Sequence, residues 1–398
     1  MKDRPPVQDW MTDWDHMDPR WTENPYRIWD EIRSSHPPIA HTERYGGAYL
    51  PTRFADIQEI AAETEHFSSR QVVVRETEPS SFGGAPPITS DPPKHAWARR
   101  MLLPPFSPTE VKQRMGDMRA ICNDLIDQFE ASPTFDGARQ YAEHIPVRVI
   151  AGMLGLPESD GDKFRHWINK IVVEGVVDDE ANLEGLTEIT EYFQEQVEQR
   201  RRKPTDDLIS SVMGFTYEDG EPFKETHIIG SLRLILIAGI DTTWSSIGAS
   251  IWHLARTPAD RERLVADPSL IPNAVEEFLR AFAPVTMARL IAKDREINGC
   301  PFKAGETLLL PFPAANRDPE RFDRPNDVII DRENAHRHAA FGMGIHRCVG
   351  MHLARAEIRT ALETLLTRVP HFELAGDVTW ARGPIRGPRI LPLRILTS

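Results

Sequence analysis

Cysteine is scarce in this chain: Cys122, Cys300 and Cys348 are the only three in 398 residues. They lie too far apart for a disulfide framework, so a reducing cytoplasm is the expected compartment. Positive charge is also short, with 47 Lys and Arg against 60 Asp and Glu and a net charge of −13. That excludes a dedicated nucleic-acid binder, which needs a basic footprint, but leaves room for a local basic patch. No long apolar run is free of charge. The most apolar stretch, Ile228 to Trp244, contains Arg233 and Asp241 and reads as a buried helix of a soluble protein, not a bilayer span. The N-terminal sequence is acidic and Trp-rich and lacks the apolar core of a signal peptide, so no membrane partner is expected.

Apolar residues make up 40% of the chain, enough for a sizeable core. The 33 prolines are dispersed and mark no linker. One integrated domain over residues 1–398 is therefore expected, with 1–23 as an N-terminal extension and no fused reductase. The fold class is mainly α with small β-sheets (α+β) around a long central helix. Helices are expected over 24–35, 53–64, 94–103, 108–130, 158–173, 184–202, 224–256, 272–282 and 351–369. Strands are expected at 47–52 and at the C-terminal ILPLRIL, with a small sheet over 293–310 built on Asn298-Gly299 and Ala304-Gly305 turns. A long loop should run from Phe67 to Ser90, and a helix-poor stretch from 311 to 350. In the last helix Met351, Ala354, Ile358, Leu362, Leu365 and Val369 form one apolar stripe.

The most informative segment runs from Phe341 to His352. It is a glycine-punctuated loop that delivers Cys348 to the start of a helix, with Gly342, Gly344 and Gly350 allowing tight turns. A helix N-terminus, with His346 and Arg347 beside it, favours a thiolate over a thiol. Such a thiolate is a metal ligand or a nucleophile; the plain alternative is a buried, inert cysteine. Zinc is a rival, because His336, His338, His346, Cys348 and His352 cluster in sequence, although the paired cysteines of structural zinc sites are missing. A covalent haem would need C-x-x-C-H, and a cysteine protease a positioned His with an Asn or Asp; neither is marked.

The loop resembles the haem-ligand loop of the cytochrome P450 family, F-x-x-G-x-[HR]-x-C-x-G, with every fixed position filled by Phe341, Gly344, His346, Cys348 and Gly350. The resemblance implies that Cys348 is the axial ligand of a haem b iron, that Phe341 packs on the thiolate side and that His346 pairs with a propionate. Further segments carry it along the chain. Glu277-Phe-Leu-Arg280 matches the E-x-x-R pair that joins a later Arg, here Arg332, in supporting the haem pocket. The stretch before it, Asp327-Val-Ile-Ile-Asp331, lacks the usual aromatic. Ala238-Gly-Ile-Asp-Thr-Thr243 resembles A-G-x-[DE]-T, which implies that Thr242 holds oxygen and its waters and Asp241 relays protons. An acid, a hydroxyl and a Gly in mid-helix already break local rules there, as functional sites do, and Gly239 should loosen the helix. Asp91-Pro-Pro-Lys-His95 through Arg100 resembles the propionate clamp, implying His95 and Arg99 as haem-binding residues, with Arg289 and Ala238 also at haem positions.

By the same resemblance the protein is a soluble bacterial-type haem-thiolate monooxygenase that inserts one atom of O2 into a small hydrophobic substrate by hydroxylation or dealkylation. Electrons would come from NAD(P)H through a separate ferredoxin or flavodoxin and its reductase. Arg99, Arg100, Arg337, Arg347 and Arg355 could form its docking patch. Ile88, Leu234, Ala238, Val285, Thr286 and Ile385 would line the substrate pocket. Two alternatives stand beside this: a peroxide-driven peroxygenase on the same fold, which typically lacks the acid–hydroxyl pair, and a zinc-stabilised helical binding protein.

Overall fold

The structure is a computed structural model that describes residues 4–75, 84–176, 178–217 and 220–396. Part of the expected loop over 67–90 lies outside these residues. The described residues hold twelve strands: β1 (Ile39–Thr42), β2 (Ala48–Pro51), β3 (Phe67–Ser68), β4 (Thr134–Asp136), β5 (Thr286–Ile291), β6 (Arg295–Ile297), β7 (Cys300–Phe302), β8 (Thr307–Pro311), β9 (Phe372–Leu374), β10 (Thr379–Trp380), β11 (Pro388–Ile390) and β12 (Pro392–Ile395). The largest sheet has the order β1-β2-β8-β5-β3, in which only β2 and β8 run parallel. A three-stranded sheet, β4-β12-β9, and the pairs β6-β7 and β10-β11 complete the β-structure.

Helices dominate, and the axis of the fold is the helix Glu225–Arg256. It has no internal Pro, and 22 of its side chains are buried, so tertiary packing rather than an amphipathic stripe holds it. Among the described residues it alone is long and apolar enough to cross a membrane, and most of it is covered by protein. The helix Met351–Arg368 lies against it, with Ile358, Leu362 and Leu365 in the core they share with Ile247, Ile251 and Phe278. Met351 and Ala354, at the start of the same stripe, are only half-buried. Asn24 caps Pro25–Arg33 through its side chain, and Asp178 caps Asp179–Arg202, which begins five residues earlier than its sequence pattern indicates.

Several expectations are corrected. The segment 108–130 is two helices, Pro108–Gln113 and Met115–Asp127, meeting at Arg114. The segment 158–173 is helical throughout, as expected, but tightens to a 3-10 turn over Glu158–Asp160 and widens to a π-helical turn over Asn169–Val173 around the α-helix Gly161–Ile168. The stretch 293–310 does not form one sheet: β6 and β7 make a hairpin on the expected Asn298-Gly299 turn, while β8 leaves for the large sheet. The C-terminal ILPLRIL divides at Leu391 between β11 and β12. The N-terminal Trp10, Trp14 and Trp21 pack with Trp29, with Tyr45 of the turn after β1 and with Leu50 of β2. Among the described residues five α-helices had no sequence expectation: Pro19–Glu23, His144–Leu154, Leu208–Met213, Pro258–Ala266 and the short Phe312–Ala315. His144–Leu154 escapes because eight of its eleven residues are buried, which erases the polar face that periodicity needs.

The central helix is unbroken at Gly239, contrary to the expected loosening. The glycine serves packing instead: a Cβ there would lie 2.8 Å from Cδ1 of Ile150 on His144–Leu154. In the cysteine loop the demand is stricter. Gly344 has φ +65°, and a Cβ on it would lie 2.2 Å from the backbone carbonyl oxygen of Ala61. Backbone cannot yield as a side chain can, so Gly344→Ala is expected to cost about 2–4 kcal/mol, the sum of left-handed strain and overpacking. Urea unfolding checks this: the midpoint should fall with the slope unchanged.

Candidate active site: a cysteine-floored cavity

The large sheet, the central helix and the cysteine loop enclose a cavity with about 1340 Å³ of empty space, its mouth included. Its floor is the loop Ala340–Gly350, and its opposite wall is the stretch Leu234–Ser246 of the central helix.

Cys348 projects into this cavity, so its surface is exposed to the enclosed space while protein surrounds it. It precedes Gly350, the N-cap of Met351–Arg368, and the Gly350 amide donates toward the sulfur. Burial nevertheless raises its thiol above the ordinary value, against that amide and the charges of Arg99, Arg355 and Arg347. The helix terminus and the arginines thus favour the thiolate, as the sequence suggests, and burial opposes them. His346 brings no positive charge. Burial, then Arg289, His95 and Arg99, push it down to about 3, and its Nε2 lies 2.8 Å from Ser69 Oγ.

His95, Arg99, Arg289 and His346 converge on one end of the cavity. His95 Nε2 is buried without a hydrogen-bond partner. Arg289 is 2% exposed, bonds only the Ala288 carbonyl, and makes no ion pair among the described residues. Burial pushes its guanidinium down to about 10. A buried cation with open donors beside an unpartnered imidazole calls for anionic oxygens. A planar group with carboxylates at one edge, a metal over Cys348 and apolar faces fits this donor set. Phe341, Gly350 and Ala238 also line the cavity. A Cβ on Gly350 would meet Cys348 Sγ at 3.9 Å, so nothing in the protein itself forbids one there; the space it keeps open lies toward the cavity.

Behind the floor, Glu277 and Arg280 are wholly buried. Arg280 Nε and Nη2 donate to the Glu277 carboxylate at 2.7 and 2.8 Å, and Arg332 Nε reaches both its oxygens at 3.1 and 3.0 Å. The two arginines also donate to the carbonyls of Asn316, Pro325, Asp327, Asp323 and Arg324. The triad thus ties the segment leading to the cysteine loop onto Ile271–Phe282. The missing aromatic leaves no void, because Ile330 is fully buried and Phe322 packs under Arg280.

On the opposite wall Thr242 lines the cavity, and its Oγ1 donates to the Ala238 carbonyl at 2.7 Å. Asp241 faces the other way. It is fully buried, with Oδ1 2.6 Å from Arg389 Nη2 of β11. The contact is off the hydrogen-bond axis, so ion pairing rather than a directed bond holds it. Burial raises the Asp241 carboxyl, and Arg389 offsets part of that rise.

Among the expected pocket residues Ile88, Leu234, Ala238 and Val285 line the cavity; Thr286 and Ile385 do not. Thr286 turns away and donates its hydroxyl to the Pro384 carbonyl, while Ile385 forms a bridge to Val285. Strand alternation explains this: Val285, Met287 and Arg289 share the cavity face, and Thr286 points to the opposite one. That rule would also have found Met287. The zinc set does not assemble, since no three His, Cys, Asp or Glu side chains converge on a metal position among the described residues.

Comparisons with known proteins give the family. The family model described as "Cytochrome P450" matches residues 180–376. The polyketide biosynthesis cytochrome P450 PksS of Bacillus subtilis is 30% identical over 94% of this chain and 96% of its own. Its structure superposes with a TM-score of 0.88, covering 96% of this chain and 100% of that one. The vitamin D(3) 25-hydroxylase of Pseudonocardia autotrophica is 32% identical over 89% of this chain and 88% of its own. The structure of CYP109E1 from Bacillus megaterium in complex with testosterone has a TM-score of 0.88 at 29% identity, covering 95% and 99% of the two chains. A Cys-floored cavity with an anion clamp at its edge, on this fold, defines a haem protein. The chain belongs to the cytochrome P450 family, and it is an oxygen-incorporating oxidoreductase, a haem-thiolate monooxygenase.

Proposed function

We propose that the protein uses haem b, held by Cys348, to insert one atom of O2 into a small neutral hydrophobic substrate, with electrons from a separate ferredoxin or flavodoxin and its NAD(P)H-dependent reductase. The observation that carries this reading is the pairing, across one cavity, of Cys348 with Thr242 of the central helix. The haem supplies the redox chemistry that activates dioxygen; the rest falls to side chains. His95, Arg99, Arg289 and His346 hold its carboxylates, and Phe341 covers the sulfur side. Thr242, whose proton is engaged by Ala238, offers acceptor lone pairs to the cavity and orders water there. Asp241 is the proton carrier, and it must leave Arg389 to reach the cavity side. Such proton transfer contributes on the order of 10²-fold or more to a rate.

Ile88, Leu234, Ala238, Val285 and Met287 form the substrate wall, which offers no charge to a ligand. A neutral, compact apolar molecule is the ligand class this supports. Of the five proposed docking arginines, Arg99 and Arg347 line the cavity, and Arg355 is paired with Glu276. Arg100 and Arg337 remain exposed and without an ion pair among the described residues, and they are the basic contacts left for an acidic electron donor. The cytoplasm, where separated thiols stay reduced, is the compartment of this reading.

The test is coupling. Thr242→Ala should raise the peroxide released per NAD(P)H consumed at the expense of product, and Asp241→Asn should slow turnover on the order of 10²-fold with haem still bound. Unchanged coupling and full activity in these variants would contradict the assigned roles. Neutral apolar compounds, but not carboxylates or amines of equal size, should shift the spin state of the purified holoprotein.

A further inference from the structure

Arg355 lies seven residues beyond Cys348, on the helix that the cysteine loop feeds. It is not a free surface cation. Its Nε and Nη2 donate to Glu276 at 2.6 and 2.9 Å, a two-pronged pair of low exposure. The third member is His338, its side chain 1% exposed, whose Nε2 stands 3.2 Å from Glu276 Oε2, an ion-pair contact off the hydrogen-bond axis. His338 Nδ1 accepts the Ala340 amide at 3.1 Å, which leaves the proton on Nε2, facing Glu276. Burial would raise the Glu276 carboxyl, but the bonds from His338 and Arg355 overcome it and hold it at about 2. The charge is therefore fixed.

This clamp places the Arg355 guanidinium 4.5 Å over the ring of Phe341, whose carbonyl accepts the Cys348 amide at 2.8 Å. Glu276 adjoins Glu277 in sequence, yet it looks outward to the cysteine helix while Glu277 looks inward to Arg280 and Arg332. A surface docking arginine needs neither a buried histidine nor a fixed carboxylate behind it.

We propose that Arg355, locked by Glu276 and His338, is a positioning residue that sets the electron density on Cys348 and with it the reduction potential of the haem. The inference rests on Cys348 being the iron ligand. A positive charge near the sulfur favours the reduced, more negative iron–thiolate pair, and Glu276 cancels part of that effect.

Spectroelectrochemical titration of the holoprotein tests it. Arg355→Gln leaves Glu276 unopposed and should shift the potential negative. Glu276→Gln leaves Arg355 unopposed and should shift it positive. The double variant should return toward the parent value, and Arg355→Lys should stay nearer the parent than Arg355→Gln. Should Glu276→Gln fail to fold, the comparison of the Lys and Gln variants at 355 still decides, because that side chain is partly exposed. Shifts of the same sign in both single variants, or unmoved potentials with slower electron delivery from a separate donor, would overturn the proposal. An absent thiolate-type ferrous–CO band in the parent protein would instead overturn the ligand reading beneath it.

Discussion

Glu277→Gln should destabilise the protein by about 3–5 kcal/mol, the cost of stranding buried charge. The side chain has no exposure, and two guanidinium groups and the Ile329 amide depend on it. The glutamine keeps the volume but not the charge, so Arg280 and Arg332 would be left as buried cations facing a neutral amide. Small native proteins have only about 5–15 kcal/mol in total, so the variant should be near its limit and hold haem poorly. Urea unfolding measures it. The exposed pair Arg263–Asp331 is the control, since its removal should cost less than about 1 kcal/mol. A Glu277→Gln loss as small as that of the control would show that the triad does not support the pocket.

Cys348→Ala should leave the fold intact and abolish thiolate ligation. The sulfur faces the cavity and fills no core gap, so its removal opens no packing defect. What it removes is the only sulfur anion source on the cavity floor that could meet a metal; the neighbouring His346 is engaged with Ser69. Circular dichroism and unfolding midpoint of the variant should match the parent, while haem content falls and any residual haem shows no thiolate character.

How far the sequence reached follows from the range of the interactions. Cys348, Glu277 and Arg280, and His95 and Arg99 sit in short motifs whose spacing carries their geometry, and the structure brings each set to the cavity or its support. The central helix is legible because nothing in it breaks a helix. Arg389 is not legible: no spacing rule connects it with Asp241, and only the folded chain brings β11 against the central helix. The same holds for Glu276, His338 and Arg355, which come from three separate segments. Arg355 looks in sequence like one more basic residue near the cysteine. Thr286 fails for a different reason, since the alternation of a strand, had it been applied, excludes it from the face that holds Arg289.

The central claim, that Cys348 binds the haem iron as a thiolate, is tested most directly by the absorption spectrum of the reduced protein under carbon monoxide, taken for the parent and for Cys348→Ala side by side. The account predicts the red-shifted thiolate-type band in the parent and its loss in the variant. A band of imidazole type in the parent, or a thiolate-type band that survives the substitution, would contradict it.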